Sequence, residues 1–339
     1  MSDFDNYIFL NDVRNGSGNK INWKNRRLIT LRMAQSYKRI DRIKYRRIVD
    51  CAGYLEFRRY SDNSLKLRTA NFCKLRLCPM CNWRRSMKIF ANVSRIMDDI
   101  RNDYSFIFLT LTVKNVASAD LEKQIDKMTN AFNALCKRKQ IKAAVKGWVR
   151  CFEITHNWQN RKFHPHYHVI LAVDKFYYTS KLYICQEEFC KIWQSCLDVD
   201  YKPIVDIRTF KDSEKGNGKE VAEVAKYTIK SSNIMANLTG ISGYNKDIQD
   251  KVKRFTDSIT DEIVTTLDSA LVNRRLIGFG GVFKEKHKEL NLTHNVDDDL
   301  IHTGFNENEN ALNYVTERYR WDIGYRNYMK IGGENDEQT

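Results

Sequence analysis

Two hydrophobic periods run through the chain and divide it into helices and strands. Trp23 to about Arg47 sets apolar positions within a run dense in Lys24, Arg26, Arg27, Arg32, Lys38 and Arg39, which predicts basic helical structure. Residues 50–58 and 65–73 form the arms of a predicted hairpin around Ser61-Asp62-Asn63-Ser64. Met87, Phe90, Val93, Met97 and Ile100 recur at helical spacing. The run 104–113 alternates, with Ile107, Leu109, Leu111 and Val113 on one face and Phe106, Phe108, Thr110 and Thr112 on the other, and predicts a strand. Helix follows over 118–139, with Ser118 as its expected cap and Leu121, Ile125, Met128, Phe132 and Leu135 as its buried stripe.

Trp148 to Thr155 reads as a further strand, and the polar segment Asn157 to Arg161 turns it into a second, opened by His164-Pro165-His166-Tyr167-His168 and continued by Val169-Ile170-Leu171-Ala172-Val173. Beyond these come a helix over 186–196 with Cys190, Trp193 and Cys196 as core, and a strand near 204–210. Helices over 219–230 and 246–268 follow, then a short strand and turn from Arg274 to Gly281. No fixed-period repeat is present. Strands and helices interspersed in this way predict an α+β fold.

In a strand, His164, His166 and His168 project to one side, and Tyr167, Val169 and Leu171 to the other. Three of the chain's seven histidines fall within these five residues. Three imidazoles on one face suit a metal site or a proton-transfer site; the plainer reading is a solvated strand face. With the turn near Gln159 or Asn160, Glu153 lies opposite His166 to His168. A carboxylate beside two or three imidazoles is a mixed N/O site with positions left open for phosphate oxygens, and His164 is either a ligand or a rim residue.

The hairpin sets Cys51 opposite Cys73, and Cys78-Pro79-Met80-Cys81 follows. Four thiols can thus converge on one tetrahedral structural zinc, a CxxC knuckle supplying two; buried free thiols are the alternative. On the 219–230 helix, Glu223, Tyr227 and Lys230 share one face, and Val221, Val224, Ala225 and Thr228 form the other. That face presents a carboxylate, a phenol and an ammonium together, or an ordinary solvated surface.

The net charge is +15 over 339 residues, and it is uneven. Residues 291–339 hold ten Asp/Glu and four Lys/Arg, a net of −6, which leaves +21 on residues 1–290. A surplus of that size on a folded body predicts a polyanionic partner, most simply nucleic acid. There is no long apolar run and no signal-peptide pattern, so a cytoplasmic protein with no membrane partner is expected. Nine cysteines in that compartment suit metal ligation better than a disulfide framework.

Three motifs in this order, Phe108-Leu109-Thr110-Leu111-Thr112, His164-Pro165-His166-Tyr167-His168-Val169 and the Tyr227 to Lys230 helix, resemble those of the HUH endonucleases, specifically the plasmid rolling-circle replication initiators (Rep proteins). Cys73 to Arg85 and Arg275 to Leu290 extend the resemblance over most of residues 23–290. Tyr227 follows the histidine strand, as in replication initiators, whereas in conjugative relaxases the nucleophile precedes it. Ser231 stands where two-tyrosine members carry their second tyrosine, and Glu223 occupies the position that serves the terminating cleavage in the single-tyrosine branch.

The resemblance implies a central antiparallel sheet flanked by helices, with the tyrosine helix packed across the histidine strand. It implies a metal-dependent nickase that binds a double-strand origin and cuts one strand by tyrosine transesterification. The nucleophile would be Tyr227, helped by Lys230, with Glu223 for the second cleavage. Mg²⁺ or Mn²⁺ would be held by His166, His168 and Glu153, beside a separate structural Zn²⁺ on Cys51, Cys73, Cys78 and Cys81. The implied partners are origin DNA, its single-stranded nick site, and a host helicase and polymerase, with a homo-oligomer left open. The expected organisation is a flexible 1–22, a basic and Cys-rich DNA-binding segment 23–90, a nicking domain 91–290 and an acidic tail 291–339. Two alternatives remain at this point: another HUH enzyme, a transposase or mobilisation relaxase, and a non-enzymatic zinc-containing DNA-binding regulator.

Overall fold

The computed structural model describes residues 7–10, 13–14, 20–210, 218–225, 234, 245–292, 299–303 and 313–332. In chain order its elements are β1 (Val13–Arg14), β2 (Lys20–Ile21), α1 (Trp23–Ile40), α2 (Arg42–Asp50), β3 (Tyr54–Tyr60), β4 (Leu65–Ala70) and α3 (Pro79–Ile100). There follow β5 (Tyr104–Thr112), α4 (Leu121–Lys137), α5 (Lys139–Ala144), β6 (Val145–Asn157), β7 (Lys162–Asp174), α6 (Gln186–Leu197), β8 (Val205–Thr209) and α7 (Gly218–Ala225). A long helix (Lys246–Ala270), β9 (Ile277–Gly281), a short helix (Val282–Glu289), β10 (Tyr314–Asp322) and β11 (Asn327–Ile331) complete the set. The fold is α+β, with antiparallel sheets flanked by helices.

The chain forms two compact units, Met1–Lys88 with Val296–Thr339, and Ile89–Asn295. The first is built on a four-stranded sheet in the order β11-β10-β3-β4. Asn22 caps α1 by accepting from the Asn25 amide, and Asp41 caps α2 by accepting from Ile43 and Lys44. The β3–β4 turn uses Asn63 at φ 61° and the Asp62 carboxylate, which accepts from the Ser64 amide. Trp23, Phe57, Trp83 and Tyr319 meet edge to face in the core. The segment read as an acidic tail supplies β10 and β11, and β10 pairs along β3 from Tyr314↔Tyr60 to Arg320↔Tyr54. Within the N-terminal stretch expected to be flexible, β1 pairs with β2.

The second unit is built on a five-stranded antiparallel sheet in the order β8-β5-β7-β6-β9, with the histidine strand β7 at its centre. Pro165 is tolerated there for a local reason. Phe163 exchanges both backbone hydrogen bonds with Val116, so the nitrogen of Pro165, two residues on, faces the same side, where β5 has already ended at Thr112. Tyr167 packs with Phe132 and Phe152 on the apolar face, as the alternation predicts. α4 packs against α6 and the long helix, burying Leu121, Ile125, Met128, Phe132 and Leu135.

One predicted cap is corrected. The first turn before α4 is a 3₁₀ turn, Ser118–Asp120, with Ala117 at its N-cap position and no side-chain cap, and the Ser118 hydroxyl donates instead to Glu262 on the long helix, at 3.0 Å. Among the described residues no helix is long and apolar enough to cross a membrane.

Candidate functional site

The turn between β6 and β7 sets the geometry of the site. The Asn157 side chain accepts from the amides of Gln159 and Asn160, Asn160 accepts from Lys162, and Arg161 takes a positive φ of 54°. That turn locks Asn157 opposite Lys162 and therefore Glu153 opposite His166. A slip of one residue would send the carboxylate to the other face.

Glu153, His166 and His168 converge, each offering a ligand atom within 4.8 Å of the others. The Glu153 Oε2 lies 3.0 Å from His168 Nε2 and 3.6 Å from His166 Nε2. All three side chains are buried, Glu153 at only 2% exposure. The rings of His166 and His168 stand nearly perpendicular with centroids 4.8 Å apart, so their Nε2 atoms aim at a common point beside the carboxylate. The other ring nitrogens are occupied: His166 Nδ1 lies 3.1 Å from the His164 carbonyl, so it carries the proton and leaves Nε2 free as a donor to a metal. His168 Nδ1 lies 3.4 Å from Thr110 Oγ1, and its ring stacks on Phe108. Two imidazoles and one carboxylate, buried and oriented, fit a divalent cation.

His164 lies outside that cluster. Its Nδ1 is 2.7 Å from Asn115 Oδ1, and burial, with the neighbouring His166 adding to it, lowers its pKa. Neither Thr110 nor Asn115 stood out in the sequence as a neighbour of the histidines. The signal for Thr110 was present in the alternation of β5, which puts it on the same face as His168 across the ladder.

α7 packs against β7 and β6 and buries Val221, Val224 and Ala225, the apolar face expected of it. Its backbone carries Glu223. The Glu223 side chain, Tyr227 and Lys230 lie outside the described residues.

The four cysteines of the first unit also converge, all buried and none in a disulfide. Cys51 Sγ lies 3.5 Å from both Cys78 Sγ and Cys81 Sγ, and Cys73 Sγ lies 3.7 Å from Cys81 Sγ. A tetrahedral zinc with Zn–S near 2.3 Å requires sulfur–sulfur separations of about 3.8 Å, so the cage is close to the size that ion needs. The Cys51 thiol is pushed well up, first by hydrogen bonding with Cys73, Cys78 and Cys81 and then by burial. A cation at the centre reverses that cost, because it binds the thiolate.

A family model described as replication protein matches residues 64–329. The chain belongs to the replication protein family. It is 36% identical over 306 residues to Protein rep of Streptococcus pneumoniae serotype 2, an alignment covering 87% of this chain and 88% of that protein. It is 36% identical over 338 residues to Protein rep of Bacillus amyloliquefaciens, covering 95% and 97%. A third relative, Protein rep of a Bacillus species, is 39% identical over 275 residues, covering 76% and 84%. No solved structure matches the chain. A replication protein has DNA as its partner, in keeping with the +15 net charge. In this replication protein the matched span includes Glu153, His166, His168 and Tyr227, and three of the four clustered cysteines.

Proposed function

We propose that this replication protein initiates rolling-circle replication of a plasmid. It would bind the double-strand origin, nick one strand with Tyr227 as nucleophile, and end the round by a second cleavage assisted by Glu223. The reading is carried by the buried Glu153–His166–His168 cluster on the central strands, with α7, the helix that leads to Tyr227, packed against those strands. Family membership supports it.

In the first cleavage the Tyr227 oxygen forms a bond to phosphorus as the P–O3′ bond breaks. The DNA is left with a 5′-phosphotyrosine and a free 3′-hydroxyl, which takes up a proton and primes synthesis. A phenol titrates near 10 and is mostly protonated at neutral pH, so Lys230, three residues on in the sequence, would favour the phenolate or contact phosphate. The divalent cation that Glu153, His166 and His168 would hold, Mg²⁺ or Mn²⁺, supplies polarisation of the scissile phosphate and stabilisation of the departing 3′ oxygen. Glu223 activates water for the second cut, which leaves Tyr227 unmodified. Cys51, Cys73, Cys78 and Cys81 would hold a structural Zn²⁺.

The test is incubation with a labelled single-stranded origin oligonucleotide and divalent cation. A covalent adduct at the 5′ end of the cut is expected, absent in Tyr227→Phe. No adduct with the wild type, or its persistence in Tyr227→Phe, overturns the reading.

A further inference from the structure

We propose that a groove in the unit formed by residues 1–88 and 296–339 is a binding site for unpaired nucleotides of a DNA strand. The proposal rests on the reading of this chain as a replication protein that acts on DNA, and adds to it a second contact on a different part of the chain from Glu153, His166 and His168.

The groove has a volume of about 970 Å³ and runs along α1 and the ends of β3 and β10. Four guanidinium groups line it, those of Arg27, Arg32, Arg320 and Arg326, against one carboxylate, Asp50. Arg320 and Arg326 are exposed and make no ion pair among the described residues. Arg27 is only 4% exposed, and its guanidinium donates to the carbonyls of Cys51 and Val49 at 2.5 and 2.6 Å. Its Nε has no hydrogen-bond partner. Arg27 is held by carbonyls and makes no ion pair among the described residues, and with four guanidinium groups against the single carboxylate of Asp50 the groove carries a net positive charge. An anion in the groove would offset that charge.

The walls between the arginines distinguish the form of nucleic acid. They are aromatic and aliphatic, with Tyr45, Tyr54 and Trp321 the aromatic members. A duplex keeps its base faces inside the stack and offers a convex rod of phosphates, for which apolar walls in a concavity have no use. Unpaired nucleotides expose those faces, and stacking on tyrosine with phosphates on arginine is how sequence-tolerant strand binding works. The volume lies at the upper end of the range of about 300–1,000 Å³ for small-ligand sites, enough for a short stretch of strand only.

Fluorescence anisotropy on the full chain tests this, with a labelled oligo-dT strand and a hairpin duplex of equal phosphate number titrated at several salt concentrations. Arg320→Ala/Arg326→Ala is expected to reduce the slope of log K against log salt for the strand by about 1.4, since each single-strand phosphate contact carries about 0.7. Tyr45→Ala is expected to weaken strand binding about fivefold or more at constant salt slope, the loss of one stacked base. Hairpin binding should move little in either variant. An unchanged strand slope in the arginine variant overturns the proposal, and so does an equal loss for strand and hairpin, which is the signature of a general phosphate surface. Unchanged circular dichroism and Tm confirm that the variants are folded. The outcome is separable from the Tyr227 adduct assay. Adduct formation with an unaltered arginine variant removes the groove alone, and a lost strand slope without any adduct removes the nicking chemistry alone.

Discussion

Thr110 Oγ1 lies 3.4 Å from Nδ1 of His168, the residue directly across from it in the β5–β7 ladder. His168 presents Nε2 to Glu153 at 3.0 Å, so both ring nitrogens are engaged. For Nε2 to ligate a cation, the ring proton must sit on Nδ1, and Thr110 is the group placed to accept it. Thr110 is therefore a positioning residue for His168. Thr110→Val is expected to lower Mn²⁺ affinity by about 10- to 100-fold, the usual cost of losing such an orienting partner, and Thr110→Ser should retain most of it. Isothermal titration with Mn²⁺ reads both. Equal affinity in wild type and Thr110→Val would sink the assignment.

The sulfur cage leads to a second expectation. Cys51 is the hub, with its sulfur 3.5 Å from Cys78 and Cys81 and 3.4 Å from the Cys73 amide, and all four side chains are buried. Purified protein should contain one zinc per chain by elemental analysis. Cys51→Ser should lose it and lower Tm, because apparent zinc-binding energy in such sites is folding energy. A strong chelator should reproduce the Tm shift in the wild type and leave Cys51→Ser unmoved. Protein free of zinc after preparation in its presence would count against the site.

Much of the second unit is legible because its information is local. The alternation of 164–173 fixes which residues share a face, and the asparagines at Asn157 and Asn160 fix the turn that brings Glu153 to His166. The cysteine cage is legible for the same reason, since a short hairpin brings Cys51 and Cys73 together. What escapes local reading is pairing across sequence distance. β10 joins β3 across some 250 residues of chain, and its Tyr-Val-Thr-Glu-Arg-Tyr-Arg-Trp-Asp run lies in a net acidic segment whose composition masks the strand pattern. A serine before a helix carries the signature of a cap, but the Ser118 hydroxyl is taken by Glu262, more than 140 residues away.

Gly281 joins β9 to the helix Val282–Glu289 at a φ of +53°, a backbone conformation that L side chains rarely adopt. A Cβ there would run into the Lys146 carbonyl of the neighbouring strand β6. Gly281→Ala is expected to destabilise by more than about 1 kcal/mol, combining the cost of a positive φ that is essentially open to glycine alone with the displaced strand. Urea denaturation should show a lower midpoint at an unchanged m-value. A midpoint equal to wild type would mean that β6 yields without cost.

Glu317 is a carboxylate through which the first unit gains stability that acid removes. It accepts from Arg59 at 2.9 Å, from Lys330 at 3.0 Å and from the Tyr319 hydroxyl at 2.9 Å. Burial by itself would raise its pKa, but the hydrogen bonds from Arg59, Lys330 and Tyr319 together outweigh burial and hold it below the usual carboxylate value. The same contact pushes Tyr319 up to about 12, burial being the larger cause and donation to Glu317 the next, so the phenol stays protonated as donor. A depressed carboxylate contributes stability that is fully present above its unfolded pKa, about 4.3, and is lost as pH falls through the folded value. Wild-type Tm should therefore drop on acidification below about pH 5, and Glu317→Gln, with no charge to lose at this position, should show a lower Tm at pH 7 but a shallower acid limb. Thermal melts from pH 7 to pH 3 distinguish the two, and parallel acid limbs would assign the acid sensitivity to other carboxylates.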